Sequence, residues 1–315
     1  MQLCLMIEGQ EGVSWPEWVA LARACEEHGI PALFRSDHHL NLEGRADRGS
    51  LDAWTVLGAL GAVTSTLRLG TLVSPATFRH PSALAKAVVA ADHASGGRVS
   101  LGLGAGWHEG EHEAYGFPFP PLRERMDRLE EQLEIVHGHW ADGSFSFSGR
   151  HYELRDLDAQ PKPLQRPHPP LIMGGGAAPR GARLAARWAD EYNTVMPTPA
   201  EARERRERIA LACEAVGREP IPFSVMTGFL VGRDRGELHA RARALARHRG
   251  EDAGDPAAFV ASLPEAWITG TLDEATKRLA ALREAGVHRV MLQHLLHTDL
   301  EALALIGTEL APRVA

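Results

Sequence analysis

Along its 315 residues the sequence repeats one order: eight short apolar runs, nearly all followed by a polar turn and an amphipathic helical segment. The strand-like runs are 3–7, 30–34, 67–73, 99–103, 170–173, 192–195, 222–230 and 287–292. Helical segments fall near 51–63, 81–94, 121–140, 180–188, 199–215 and 235–247, with one more at each end of the chain. Strands joined through helices pair in parallel, and eight such units close into a (β/α)8 TIM barrel. The end signals agree. Ser14 and Glu17 form a capping box with Pro16 in the first turn, Trp15, Trp18, Ala22 and Cys25 share one helical face, and Gly29 stops the helix. Thr271 with Glu274, followed by Gly286, repeats that design before the last strand.

Two stretches break the rhythm. SFSFSGRHYEL at 144–154 alternates around a Ser-Gly turn and reads as a β-hairpin after the fourth barrel helix, and the Pro-rich QPKPLQRPHPP that follows is a stiff connector. Residues 249–264 read as a helical insertion before the eighth helix. The expectation is a single barrel domain over 1–315, with insertions near 142–168 and 249–270.

Composition narrows the function. A net charge of -7 argues against nucleic acid as a partner, and no apolar run approaches the ~20 residues that span a bilayer. The opening MQLCLMIEG lacks a basic region and reads directly as a strand, so no signal peptide is expected. Cys4, Cys25 and Cys213 are far apart in apolar surroundings and read as buried thiols. The chain is expected to be a cytoplasmic protein acting on a small molecule.

Reactive groups of such barrels lie at the C-terminal ends of the strands. Those positions are Glu8-Gly9, Ser36-Asp37-His38-His39, Val73-Ser74, Gly104-Ala105-Gly106-Trp107, Gly174-Gly175-Gly176, Met196 and Gln293-His294. An Asp-His pair at a strand end suits proton transfer near neutral pH. Gly102 to Gly106 lack the spacing of a dinucleotide fingerprint and are read as letting a flat ring lie against the backbone. Gly174-Gly175-Gly176-Ala177 precedes a helix and reads as a phosphate site, with Arg180 and Arg183 adding charge. His108-Glu109-Gly110-Glu111-His112 matches the spacing of a zinc hydrolase motif, but Gly110 and the preceding glycine-rich turn favour a polar loop over the barrel mouth and no metal.

Three segments together resemble the bacterial-luciferase-like flavin and deazaflavin oxidoreductases over essentially the whole chain. They are Ser36-Asp37-His38, the run from Gly70 to Pro81, and the run from Arg98 to Trp107, joined by the glycines at 174 and Gly270-Thr271. The resemblance is to the branch that uses coenzyme F420, with FMN and a monooxygenase reaction as the alternative. It implies hydride transfer, with His38 as acid/base oriented by Asp37. It also implies a cofactor held by Ser36, Leu72, Val73, Ala105, Gly106, Gly174, Gly175, Gly176 and Ala177, a cis bond between Leu72 and Val73, and a homodimer. Trp107 and His39 fall to the substrate pocket. Trp107 stands where sugar-phosphate dehydrogenases of that family place an acid, and Pro75 where they place threonine; both point to a flatter, more apolar substrate.

Overall fold

The computed structural model describes residues 1–42, 45 and 47–315. In chain order the first half comprises β1 (Gln2–Ile7), α1 (Trp15–Glu27), β2 (Ala32–Arg35), α2 (Ala53–Val63), β3 (Arg68–Thr71), β4 (Ser74–Pro75), α3 (Pro81–Ser95) and β5 (Val99–Gly104). There follow α4 (Glu109–Tyr115), α5 (Leu122–Trp140), β6 (Phe145–Ser148), β7 (Glu153–Leu157), β8 (Leu171–Gly174), α6 (Pro179–Trp188), β9 (Glu191–Val195) and α7 (Pro199–Glu214). The chain continues with β10 (Phe223–Gly232), α8 (Arg235–Arg249), α9 (Pro256–Ser262), β11 (Ile268–Thr271), α10 (Leu272–Glu284) and β12 (Arg289–Gln293). It ends in α11 (Glu301–Ala304), a π-helical turn over Leu305–Leu310, and α12 (Ala311–Val314).

Among the described residues, eight strands close a parallel barrel in the order β1-β2-β3-β5-β8-β9-β10-β12 and back to β1. The alternation of β1 shows how the wall is built. Leu3, Leu5 and Ile7 point outward into the main core with Trp18 and Leu57, while Cys4 and Met6 point into the barrel with Phe34, Ile172 and Met291. Both capping boxes form as the sequence predicts. Burial pushes the Cys4 thiol up to about 12, as suits an unreactive core cysteine.

Four elements depart from the sequence reading. Trp15 does not join the apolar face of α1, because as the first helical residue it lies at the rim and is 38% exposed. The 249–270 insertion holds not only helix α9 but strand β11, which pairs in parallel with the outer half of β10 from Phe229↔Ile268 to Gly232↔Thr271. That pairing lengthens β10 beyond the barrel rim and builds a small satellite core of Leu230, Leu238, Leu245, Leu263 and Trp267. The terminal helices after β12 are a further addition; they pack in the outer layer between α1 and α10, and the Met1 amino group donates to Val314 O at 3.1 Å. Residues 109–115, which read as loop, form helix α4. The hairpin is present as β6 and β7, closed by Gly149 N to Tyr152 O at 2.9 Å. No helix among the described residues is long and apolar enough to cross a membrane.

His294, just past β12, is buried, with Nε2 3.2 Å from Asp299 O. Burial pushes its pKa down, with Arg241 and His297 acting the same way and Asp299 opposing them. A histidine kept neutral by the fold binds fewer protons than the same group in the unfolded chain. Its contribution is therefore full above about pH 6.5 and is lost as the pH falls below that, by at most about 1.4 kcal/mol per unit. Chemical denaturation at about pH 7 and about pH 5 should show this loss, and His294→Gln should flatten the slope.

Candidate active site

A cavity of about 470 Å³ opens at the C-terminal end of the barrel, within the range usual for small-molecule sites. Its wall takes residues from nearly every strand end: Glu8 after β1, Ser36 and His38 after β2, Leu72 and Val73 after β3, and Gly104 to Trp107 after β5. Gly174 ends β8 and Gly175 follows it, Asn193 and Val195 lie on β9, Met226 on β10, and Gln293 on β12. Leu42 and Phe78 complete the upper wall.

One side of the cavity is a bulge between β3 and β4, where the Leu72–Val73 peptide is cis, as the resemblance implies. The glycines of β5 make room for this bulge, and Gly104 also lines the cavity. A Cβ at Gly102 would lie 2.1 Å from Thr71 O, and one at Gly104 would lie 2.8 Å from Val73 Cγ2. The missing side chains let Leu72 and Val73 present their own faces to the cavity. Gly102→Ala should therefore lower stability by about 1–3 kcal/mol. A Cβ at Gly176 would meet nothing within 4 Å, so Gly176→Ala should melt like the parent in the same thermal scan.

The sequence pairs Asp37 with His38; the structure pairs each with something else. Asp37 turns behind the wall, where it accepts from Arg79 Nη1 at 2.5 Å, Arg79 Nη2 at 3.1 Å and Ser74 Oγ at 2.6 Å. Trp54 Nε1 in turn donates to Ser74 Oγ at 3.1 Å, so Asp37 anchors the β3 bulge to the second loop. The partner of His38 is Glu111, whose Oε2 lies 2.7 Å from His38 Nδ1. Glu111 has no side-chain exposure, and its Oε1 also accepts from the backbone N–H groups of His39 and Leu40. Burial works against a charged His38, but the hydrogen bond and charge of Glu111, with Glu8 and Asp37 farther off, outweigh it and raise the pKa. The same contacts lower that of Glu111 against its own burial.

Glu111 sits within the HEGEH segment, and the local geometry explains that motif. His108 is the N-cap of α4, its Nδ1 accepting from Glu111 N at 3.1 Å. His112 Nδ1 is 2.7 Å from His108 O, and its Nε2 is 2.6 Å from Thr77 Oγ1. Both ring nitrogens of His112 are thus engaged with protein atoms. Among the described residues no group of three His, Cys, Asp or Glu side chains is placed to hold a metal.

Glu8 is only one of many strand-end positions in the sequence, yet it is half of a polar floor. Its oxygens accept from Gln293 Nε2 at 2.5 Å and Gln10 Nε2 at 2.8 Å. Ser36 Oγ donates to Gln10 Oε1 at 2.5 Å and accepts from Gly9 N at 3.0 Å, so its hydroxyl braces this floor. His39 lies outside the cavity wall, stacked on Phe78 at 5.0 Å, because its backbone is drawn to Glu111.

The glycine run bends as a ligand turn would, with Gly175 at φ 155 and Ala177 at φ 54. Only Gly174 and Gly175 reach the cavity wall; Gly176 lies on the outer surface and Ala177 is buried. The Ala177 N–H is committed to Tyr192 Oη at 2.8 Å, which leaves those of Gly176 and Ala178 for an anion at the rim. Arg180 adds no charge there. It is held by α5 through Asp127 at 2.7 Å and Glu130 at 2.8 Å.

The sequence profile of the luciferase-like monooxygenases matches residues 4–289. An F420-dependent glucose-6-phosphate dehydrogenase of Nakamurella multipartita is 35% identical over 57% of this chain and 52% of its own. An FMNH2-dependent dimethylsulfone monooxygenase of Pseudomonas putida is 38% identical over 44% of this chain and 38% of its own. The coenzyme F420 dependent tetrahydromethanopterin reductase of Methanopyrus kandleri superposes with a TM-score of 0.80 at 20% identity, covering 100% of both chains.

Proposed function

The chain belongs to the luciferase-like monooxygenase family, and from that premise we propose that it is an F420-dependent oxidoreductase acting on a small organic substrate. The observation that carries this reading is His38, on the cavity wall at the end of β2 and held at Nδ1 by a fully buried carboxylate. The Ser36-Asp37-His38 segment resembles the deazaflavin-using branch, and relatives named for F420 stand beside one named for FMNH2.

The residues present fit a tricyclic ring with a phosphate-bearing tail. The Leu72-Val73 bulge offers a flat apolar backing, which the glycines of β5 make room for. The turn at 174–178 offers N–H groups at the rim. When bound, the deazaflavin supplies the hydride chemistry. The chain's part is to place the substrate and handle a proton. With Nδ1 fixed by Glu111, His38 Nε2 is the atom left to give or take that proton. Leu42, Phe78 and Trp107 give the opening an apolar lining that disfavours water at the reacting face.

Titration of the purified protein with oxidised F420 and, separately, with FMN tests the cofactor. Tight F420 binding with weak FMN binding is expected. The reverse preference would place the chain with the FMN-dependent monooxygenases and make oxygen uptake its assay. Binding of neither would overturn the proposal.

A further inference from the structure

The ionisable side chains on the cavity wall are carboxylates and histidines: Glu8, Glu111, His38, His108 and His112. No lysine or arginine contributes to the wall among the described residues. The nearby guanidinium groups are committed elsewhere. Arg79 bridges Asp37 and Asp52 behind the β3 bulge. Arg35, fully buried under β2, donates to Ser36 O at 3.0 Å, Ser50 Oγ at 2.9 Å and Leu51 O at 3.0 Å.

The two wall carboxylates differ. Glu111 is paired with His38, and that pair is neutral overall when the imidazole carries its proton. Among the described residues Glu8 makes no ion pair; its oxygens are held by two side-chain amides, and the Arg35 guanidinium acts on it only through space. An anion entering the cavity would lose its hydration and face this unpaired carboxylate in a medium that screens poorly. The upper wall is apolar, formed by Leu42, Phe78 and Trp107. The Trp107 ring, 63% exposed, stands edge-on to His38 with centroids 5.6 Å apart.

We infer that this site selects a largely apolar substrate that carries no negative charge and offers one oxygen to His38. The inference rests on the proposed function for the place where the substrate binds, but the charge selection belongs to the protein wall alone. It separates this pocket from one built for a sugar phosphate or a carboxylic acid.

Three ring-matched carbonyl probes test it: acetophenone, 4-acetylbenzoate and 4-acetyl-N,N,N-trimethylanilinium. Their dissociation constants would be measured by calorimetry, with and without oxidised F420. Acetophenone should bind at least about tenfold tighter than 4-acetylbenzoate, and the cationic probe should also bind more tightly than the anionic one. Trp107→Arg, at an exposed position that tolerates charge, should shrink or reverse the preference against the anion. Equal or tighter binding of 4-acetylbenzoate would overturn the inference. So would an unchanged gap in Trp107→Arg, or no binding of acetophenone up to its solubility limit. The two proposals fail separately. If F420 does not bind while the charge order holds in the free protein, only the cofactor reading falls; if F420 binds and the charge order is absent, only this one does.

Discussion

His38→Ala is expected to bind the cofactor with unchanged affinity and to turn over at least about 100-fold more slowly, the usual scale for a lost general acid or base. The separation follows from the geometry. The ring's apolar backing comes from Leu72 and Val73, and the rim N–H groups from 174–178, while His38 stands apart from both on the β2 loop. His38 makes one side-chain hydrogen bond, to Glu111, whose other oxygen keeps its two backbone donors in the variant. Turnover close to the parent's, with binding intact, would remove His38 from the mechanism.

Glu111→Gln should be the second most damaging change, by about tenfold or more in turnover, through His38 and not through the cofactor. Glutamine preserves the shape and can still accept from the His39 and Leu40 N–H groups, but it removes the charge that raises the His38 pKa. The pH limb assigned to His38 should therefore move to lower pH. The same linkage appears in stability. A histidine whose pKa is raised by folding contributes stability that is full below about pH 6.5 and lost as the pH rises through its folded value. That dependence should weaken in Glu111→Gln. A pH–rate profile of kcat alongside denaturation curves reads both effects, and a purely structural role for Glu111 would lower stability without moving the limb. Asp37→Asn is the contrasting case. It breaks a buried pair with Arg79 and should cost about 3 kcal/mol of stability while moving the limb less than Glu111→Gln does, because Asp37 acts on His38 only from farther off.

The contrast between Asp37 and Glu111 shows where sequence reasoning stops. Asp37 is adjacent to His38 in the chain, so an Asp-His unit is the natural reading. On strand β2 and its outgoing turn, however, successive side chains leave in different directions. Asp37 turns back toward Arg79, and His38 meets a carboxylate 73 residues away. The signal for Glu111 is present in HEGEH, but its spacing points to a metal and its glycine to a loop. The spacing that mimics a zinc site is here a histidine N-cap followed by one helical turn, which carries Glu111 inward. Gly102 likewise marks the right location with a neighbour the sequence does not show, because only the packed bulge reveals that Thr71 O fills the space above it.

By itself the sequence determined the barrel, the hairpin, the helix caps and the place of His38 at a strand end, while the Leu72-Val73 bulge followed only from the family resemblance. The former are written in short-range patterns: periodicity along one element, a cap three residues from its partner, a motif of consecutive residues. The tertiary structure alone decided which carboxylate serves His38, that Glu8 joins the floor, that Arg180 is withdrawn from the rim, and that β11 extends β10. Each of these depends on loops from different strands being brought together at one end of the barrel. The distance between them in space is set by closure of the whole sheet, which no local spacing encodes.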